Sequence, residues 1–198
     1  DNVFVLACYG PSLADTIEDL RAEVAKPGHD LYSVSGAHKA LLDAGLVPNG
    51  HVEADPRPHK AKLIGAADPR VVYFVSSACD RAVFDVVHGC ETYLWHVTSS
   101  GPETDLIASM DRYSANPTFT VDGGTNVGMS AIGLGTVLGY RKFSIYGMDC
   151  SFRVDDDILR WPNDVDLPED VRARVGFHAV DHPNEDQPVY RVWVDGRP

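Results

Sequence analysis

The sequence predicts an α/β fold: a doubly wound, mostly parallel sheet with helices on both faces. Short β-forming runs alternate with helical patterns of about ten residues along most of the chain, as in strands joined by crossover helices. The opening run, Asn2-Val-Phe-Val-Leu-Ala-Cys8, is apolar without alternation, the pattern of a parallel strand buried on both faces. Two turns, Tyr9-Gly10-Pro11-Ser12 and Asp122-Gly123-Gly124-Thr125-Asn126, each stand between a strand-like run and a helical one. With 198 residues, 44% of them hydrophobic, the chain can bury one core. It reads as a single domain over 1–198, with the core in 1–152 and an acidic insertion or lid plus a C-terminal strand in 153–198.

After the first strand, Leu13, Ile17, Leu20 and Val24 recur at helical spacing and mark one helix that stops before Pro27-Gly28. Leu31–Ser35 reads as the second strand, and Gly36–Ala44 as a short helix with Leu41 and Leu42 inward. His51–Asp55 is the third strand, ended by Pro56 and Pro58. A weak helix at Ala61–Ala67, a strand at Val71–Val75, a helix at Asp80–His88 and a strand at Thr92–Val97 follow. Residues 98–117 read as a loop with one helical turn around Asp105–Met110, and Thr118–Val121 as a short strand.

The chain is organised around the glycine helix that follows. Gly123 and Gly124 offer a turn able to take positive φ, and Thr125 or Asn126 caps a helix whose open N–H groups and positive dipole end suit an anion. Gly124, Gly128, Ala131, Gly135 and Gly139 share one helical face. Interior glycines cost about 0.5–1 kcal/mol each, so their presence here points to a close neighbour, most naturally the sheet. The strand Lys142–Tyr146 then breaks at Gly147, which places Asp149 at a carboxyl strand end, the edge where open α/β sheets bind ligands. The first strand, Gly10-Pro11-Ser12 turn and helix form a mononucleotide-binding unit or simply a strand-to-helix turn with Pro at its start. Neither GxGxxG nor GxxxxGK[ST] is present.

A net charge of −12 repels phosphate backbones and anionic lipid, which argues against nucleic acid and membrane surfaces as partners. A small anionic ligand remains compatible, since helix ends and a divalent cation act locally. Cys8, Cys79, Cys90 and Cys150 lack CxxC spacing, as expected of reduced cytoplasmic thiols. Beyond Asp149 the chain is acidic. His178 and His182, at i, i+4 beside Asp181 and Glu185, have the composition of a metal cluster, but Pro183 breaks the helix that would align them. A polar loop over 176–186 is the favoured reading, followed by a strand, Val189–Val194, that enters a turn at Asp195-Gly196.

Ala7-Cys-Tyr-Gly-Pro-Ser-Leu13, Val34-Ser-Gly-Ala-His-Lys-Ala-Leu-Leu42 with Glu53-Ala-Asp-Pro56, and Gly123-Gly-Thr-Asn-Val-Gly128 with Gly139–Phe152 together resemble the MptE-like family. That family includes archaeal 6-hydroxymethylpterin diphosphokinases and the central domain of Maf flagellin glycosyltransferases. The Gly-Pro-Ser opening is also similar to that of bacterial CMP-sugar-dependent sialyltransferases. Family members usually carry Gly-Asn before Gly-Pro-Ser-Leu, whereas Cys8-Tyr9 stands here. The resemblance implies a Rossmann-like fold and group transfer from a nucleotide donor: diphosphate from ATP to a pterin alcohol, or a sugar from a CMP-sugar. Gly10, Pro11, Ser12, Gly36, Gly123, Gly124, Thr125 and Asn126 would then contact the nucleotide. Asp55 and Asp149 would hold Mg²⁺ on its phosphates, with Asp149 also in the catalytic set. In sugar transfer His178 or His182 would be the base. The other class of function is a non-catalytic nucleotide- or sugar-binding module, in which Asp55 and Asp149 serve only as turn or capping residues.

Overall fold

The computed structural model describes residues 2–98, 109, 120–124 and 126–149, and the backbone of 159–160, 175–180 and 189–194. Contacts divide the chain into two units, Asp1–Ser151 and Phe152–Pro198. The first contains strands β1 (Val3–Ala7), β2 (His29–Val34), β3 (Gly50–Glu53), β4 (Val72–Ser76), β5 (Thr92–Thr98), β6 (Thr120–Asp122) and β7 (Lys142–Tyr146). They form one sheet in the order β6-β5-β4-β3-β2-β1-β7, and each neighbouring pair is parallel. This is the Rossmann-like α/β sheet that the sequence predicts. The chain steps outward from β1 to β6, then returns across the sheet to place β7 on the other side of β1. The switch of direction therefore falls between β1 and β2 on one side and β7 on the other, where such sheets open a crevice at their carboxyl edge.

Both faces of β1 are covered, which explains its unbroken apolar run. Phe4, Leu6 and Cys8 pack with Tyr32, Val34, Val52, Trp95, Ala131 and Leu134 on the face of helix α6 (Val127–Val137). Val5 and Ala7 point the other way, into the layer built by α1 (Ser12–Asp15), α2 (Ile17–Val24) and α3 (Ala37–Asp43). That layer continues over β4 through α4 (Lys60–Ile64) and α5 (Arg81–Val86). Phe4 stacks on Tyr32 with ring centroids 4.0 Å apart, so β1 and β2 are joined by side chains as well as by their ladder.

The single helix expected from Leu13 to Val24 is two helices. Thr16 interrupts it: its hydroxyl donates to the Ser12 carbonyl at 2.7 Å, and its N–H is shared between Ser12 and Leu13 carbonyls at 3.0 and 3.3 Å. A Thr hydroxyl that competes for a backbone acceptor in this way loosens the helical ladder. Leu13 and Leu20 still reach the core from either side of the break. Ser109 is helical, the remainder of 99–119 lies outside the described residues, and the expected strand Thr118–Val121 is described from Thr120 on, where it forms β6.

In the second unit, β8 (Leu159–Arg160), β9 (Val175–Val180) and β10 (Val189–Val194) form a sheet in the order β10-β9-β8, both pairs antiparallel. The polar loop expected over 176–186 is thus incorrect for its first part. Val175, Phe177 and Ala179 recur with period two, and pairing with β10 supplies ladder partners that a local reading lacks. β10 pairs antiparallel with the strand before it, and the Asp195-Gly196 turn lies outside the described residues. Among the described residues no helix is long and apolar enough to cross a membrane.

Candidate functional site

The ends of β1 and β7 are laced together at the carboxyl edge. Cys8 N–H donates to the Tyr146 carbonyl and Gly10 N–H to the Gly147 carbonyl, each at 2.8 Å. Gly147 takes a φ of 66°, and a Cβ there would stand 2.3 Å from the Cys8 carbonyl oxygen. A Cβ on Gly10 would stand 2.4 Å from the Gly147 oxygen and 2.5 Å from Asp149 Oδ2. Both positions therefore require glycine, and the closeness they allow brings Asp149 over Ser12. Ser12 N–H donates to Asp149 Oδ2 at 2.7 Å and the Ser12 hydroxyl to Oδ1 at 2.5 Å.

This changes the expected role of the Gly-Pro-Ser turn. Pro11 has no N–H, Gly10 N–H serves the Gly147 carbonyl, and Ser12 N–H serves Asp149. The anion held at this turn is thus the protein's own Asp149 carboxylate. Gly36 lies next to the turn, and a Cβ there would stand 2.6 Å from Cδ1 and Cε1 of Tyr9. Its glycine thus makes room for an aromatic ring that is itself half exposed.

The start of α6 comes to the same place. Asn126 is extended, and its side chain accepts from Met129 N–H at 3.0 Å, the cap expected of it. A Cβ on Gly128 would stand 2.6 Å from Met148 Cε and 3.0 Å from Cys8 Sγ, and one on Gly135 2.9 Å from Phe143 Cε1 and 3.0 Å from the Phe4 ring. The glycine face is therefore the close-packing face, as its spacing implies. The expected positive φ at Gly123 and Gly124 is not found. These two are glycine for space: a Cβ would stand 2.5 Å from Val97 Cγ1 at the first and 2.1 Å from Met129 Cβ at the second. With Met129 N–H taken by the cap, the first-turn N–H groups of Val127 and Gly128 are those a helix end presents. Thr125 lies outside the described residues.

The third carboxyl end is β3. Asp55 accepts from Arg57 Nε at 2.9 Å and a second guanidinium nitrogen at 2.6 Å, from Arg57 N–H at 3.0 Å, and pairs with Lys60 Nζ at 3.3 Å. Burial pushes its pKa up, but the Arg57 hydrogen bonds and the Lys60 charge outweigh this and hold it at about 2. Glu53, which has no role in the sequence reading, is fully buried beneath it. Its Oε1 accepts from Ala54 and Asp55 N–H at 3.0 and 3.1 Å, while Oε2 has no hydrogen-bond partner among the described residues. Burial raises its pKa to about 7 against the opposing pull of those two N–H groups and of Lys60. Alternation carried the signal: His51 and Glu53 share one face of β3, in a sheet covered on both sides, which puts a carboxyl group inside.

Below Glu53 lies a buried polar network. His51 Nδ1 is 3.0 Å from Ser33 Oγ, and His38 bridges the Ile64 carbonyl and the Tyr73 hydroxyl at 2.9 Å each. Burial lowers the pKa of both imidazoles, so the fold holds them neutral.

These geometries decide how Mg²⁺ fits. Both oxygens of Asp55 face a guanidinium and an ammonium, so a two-carboxylate site made with Asp55 does not fit. Among the described residues no three His, Cys, Asp or Glu side chains gather as a metal site. Asp149 is exposed, and one carboxylate suffices for a cation carried mainly by water and donor phosphates. The backbone of His178 lies in β9, opposite Arg191, so the helical spacing that linked it to His182 does not apply; His182 lies outside the described residues.

A protein family described as 6-hydroxymethylpterin diphosphokinase MptE-like matches residues 1–155. Among solved structures, the MAf glycosyltransferase of Magnetospirillum magneticum AMB-1 is similar in fold, with a TM-score of 0.58 at 16% identity. The match covers 84% of this chain and 24% of that one, so the chain spans about a quarter of that protein's length. A search of curated proteins finds no match.

Proposed function

Because the chain belongs to the 6-hydroxymethylpterin diphosphokinase MptE-like family, we propose that it is a nucleotide-dependent group transferase that moves diphosphate from ATP to the hydroxyl of a pterin alcohol. The observation that carries this reading is the meeting of three segments at the switch point: the Gly10–Ser12 turn, the Gly147–Asp149 loop and the capped start of α6. The donor's phosphates would lie along that helix start, where the Val127 and Gly128 N–H groups and the helix dipole oppose their charge. Gly10, Pro11 and Gly36 would shape the wall of the crevice, while Gly123, Gly124, Thr125 and Asn126 set the approach of the helix. Mg²⁺, when bound, would neutralise charge on the donor phosphates, with Asp149 the residue to hold it. Ser12 would fix the orientation of that carboxylate through its two hydrogen bonds. Asp55 would keep Arg57 and Lys60 in place at the β3 end of the same edge.

The test is thermal denaturation of the chain with ATP, CMP, a CMP-sugar or 6-hydroxymethylpterin, each with and without Mg²⁺. ATP at 100 times its dissociation constant is expected to stabilise by about 2.7 kcal/mol. A shift with CMP or the CMP-sugar and none with ATP would transfer the reading to CMP-sugar-dependent glycosyl transfer. No shift with any nucleotide would overturn it.

A further inference from the structure

Tyr9 stands two residues past β1, and both of its chain neighbours belong to the site described above. A Cβ on Gly128, at the start of α6, would stand 3.0 Å from Cys8 Sγ, and one on Gly10 would stand 2.5 Å from Asp149 Oδ2. Consecutive Cα atoms are about 3.8 Å apart, so Tyr9 sits between the helix start and the carboxylate. Its side chain crosses to the neighbouring strand and rests on Gly36, two residues past the end of β2.

The ring lies flat on that glycine. A Cβ on Gly36 would meet Tyr9 Cδ1 and Cε1 at 2.6 Å and Cγ at 2.8 Å. A ring turned edge-on would leave Cδ1, the middle atom of the three, clearly the nearest, whereas near-equal distances place a ring face over the glycine. The φ of Gly36 is −63°, which any residue adopts, so the space taken by the ring is what excludes a side chain there. With one face seated on backbone, Tyr9 is still 52% exposed, and that exposure belongs to the opposite face.

Tyr93 is as exposed, but it stacks on Phe74 and gives its hydroxyl to Glu91 at 2.8 Å. Among the described residues Tyr9 has no ring partner and no hydrogen bond at its hydroxyl. Resting on the transfer reading above, we infer that Tyr9 is a binding residue whose open face stacks a planar heteroaromatic ring of the ligand, a nucleobase or the pterin. Gly36 is its positioning residue. Stacking uses the π face that all these rings share, so the platform adds affinity to a ring-bearing ligand and none to phosphates alone. Family members usually carry Asn where Tyr9 stands, so the platform is a feature of this chain.

The experiment follows the intact chain in Mg²⁺ with ATP, CMP, 6-hydroxymethylpterin and inorganic triphosphate. In the parent, the assigned Tyr9 ring protons are expected to shift upfield in NMR spectra with the stacked ligand and to stay in place with triphosphate. By calorimetric titration, Tyr9→Leu is expected to weaken that ligand about tenfold while triphosphate binds within about twofold of the parent. Tyr9→Phe, which keeps the ring, is expected to stay within about threefold of the parent. Gly36→Ala lifts the ring from its seat and is expected to weaken the same ligand in the parent but no further in Tyr9→Leu. Loss for ATP or CMP makes the stacked ring the nucleobase, and loss for the pterin makes it the acceptor's. Ring ligands that bind while the Tyr9 protons stay in place, or that bind Tyr9→Leu as they bind the parent, overturn the platform alone. Equal loss of triphosphate affinity also overturns it, since the change would then not depend on a ring. A parent that binds neither nucleotide nor pterin overturns the transfer reading and the platform with it.

Discussion

Ser12 donates its N–H and its hydroxyl to the two oxygens of Asp149, a residue 137 positions further along the chain. The pair closes the first strand's turn onto the last strand's loop, and both residues stand at the edge where direction in the sheet reverses. If the tie is energetic as well as geometric, a double-mutant cycle of Ser12→Ala and Asp149→Ala will show coupling of about 0.5–1.5 kcal/mol in chemical denaturation. Additive effects would mean that the contact contributes nothing net to folding. Nucleotide titration separates the second role: Asp149→Asn is expected to weaken ATP binding at least tenfold in Mg²⁺, and Ser12→Ala less, since the carboxylate keeps the Ser12 N–H.

For Asp55 the expectation from sequence, a metal ligand whose loss spares stability, gives way to a different one. Its charge is matched by Arg57 and by Lys60, whose ammonium is buried. Asp55→Asn is therefore expected to destabilise the fold by about 1–3 kcal/mol, because it leaves those cations with a weaker acceptor. The folded pKa of about 2 lies below the ordinary 3.8, so this stabilisation is complete above pH 3.8 and is lost as pH falls toward 2. Denaturant midpoints of parent and variant should converge over that interval. Midpoints that differ equally at pH 2 and pH 5 would refute the ion pairs as the cause.

The fold was legible because its signals are local. An apolar run such as Asn2–Cys8 needs both faces covered, and helices between such runs force parallel strands. The close-packing role of Gly128 and Gly135 could likewise be read from their helical spacing. What could not be read is set by partners distant in sequence. The break at Thr16 depends on one hydroxyl choosing a carbonyl, and β9 depends on its pairing with β10, which begins nine residues further along. The donors of the Gly-Pro-Ser turn looked available because Asp149, the group that consumes them, lies at the other end of the domain's chain. Positive φ was assigned to Gly123 and Gly124 by residue type alone, whereas crowding by Val97 and Met129 is the actual requirement.

That crowding leads to a prediction at the glycine helix. A methyl group on Gly128 meets Met148 Cε, the end of a flexible side chain, and Cys8 Sγ in the buried core. Gly128→Ala is expected to cost about 1–3 kcal/mol. At Gly124 the obstacle is Met129 Cβ, which cannot move without disturbing the N–H held by Asn126. Gly124→Val should therefore lower both stability and nucleotide affinity, not affinity alone. Paired denaturation and ATP titration check this, and a Gly124→Val protein as stable as the parent would show that the helix start yields more readily than its contacts imply.

Glu53 supplies the last prediction, because its direction is opposite to that of an ordinary buried carboxylate in an ion pair. Its pKa of about 7 in the fold exceeds the ordinary 4.5, so the native state keeps a proton that the unfolded chain releases between those values. The stability linked to Glu53 is thus fully present below pH 4.5 and is lost as pH rises toward 7, with a slope of at most about 1.4 kcal/mol per pH unit. His38 and His51 act the other way. Their folded pKa values lie below 6.5, so their contribution is present above that pH and is lost as pH falls. The parent's own profile blends these opposing slopes, and the informative quantity is the difference between parent and Glu53→Gln. The glutamine keeps a carbonyl oxygen for the Ala54 and Asp55 N–H groups and cannot ionise. Between pH 4.5 and 7 the variant should gain on the parent steadily in denaturant midpoint, and above pH 7 the gap should stay constant. Parallel profiles across that range would mean that Glu53 ionises in the fold as readily as in the unfolded chain, and that burial at the end of β3 does not hold its proton.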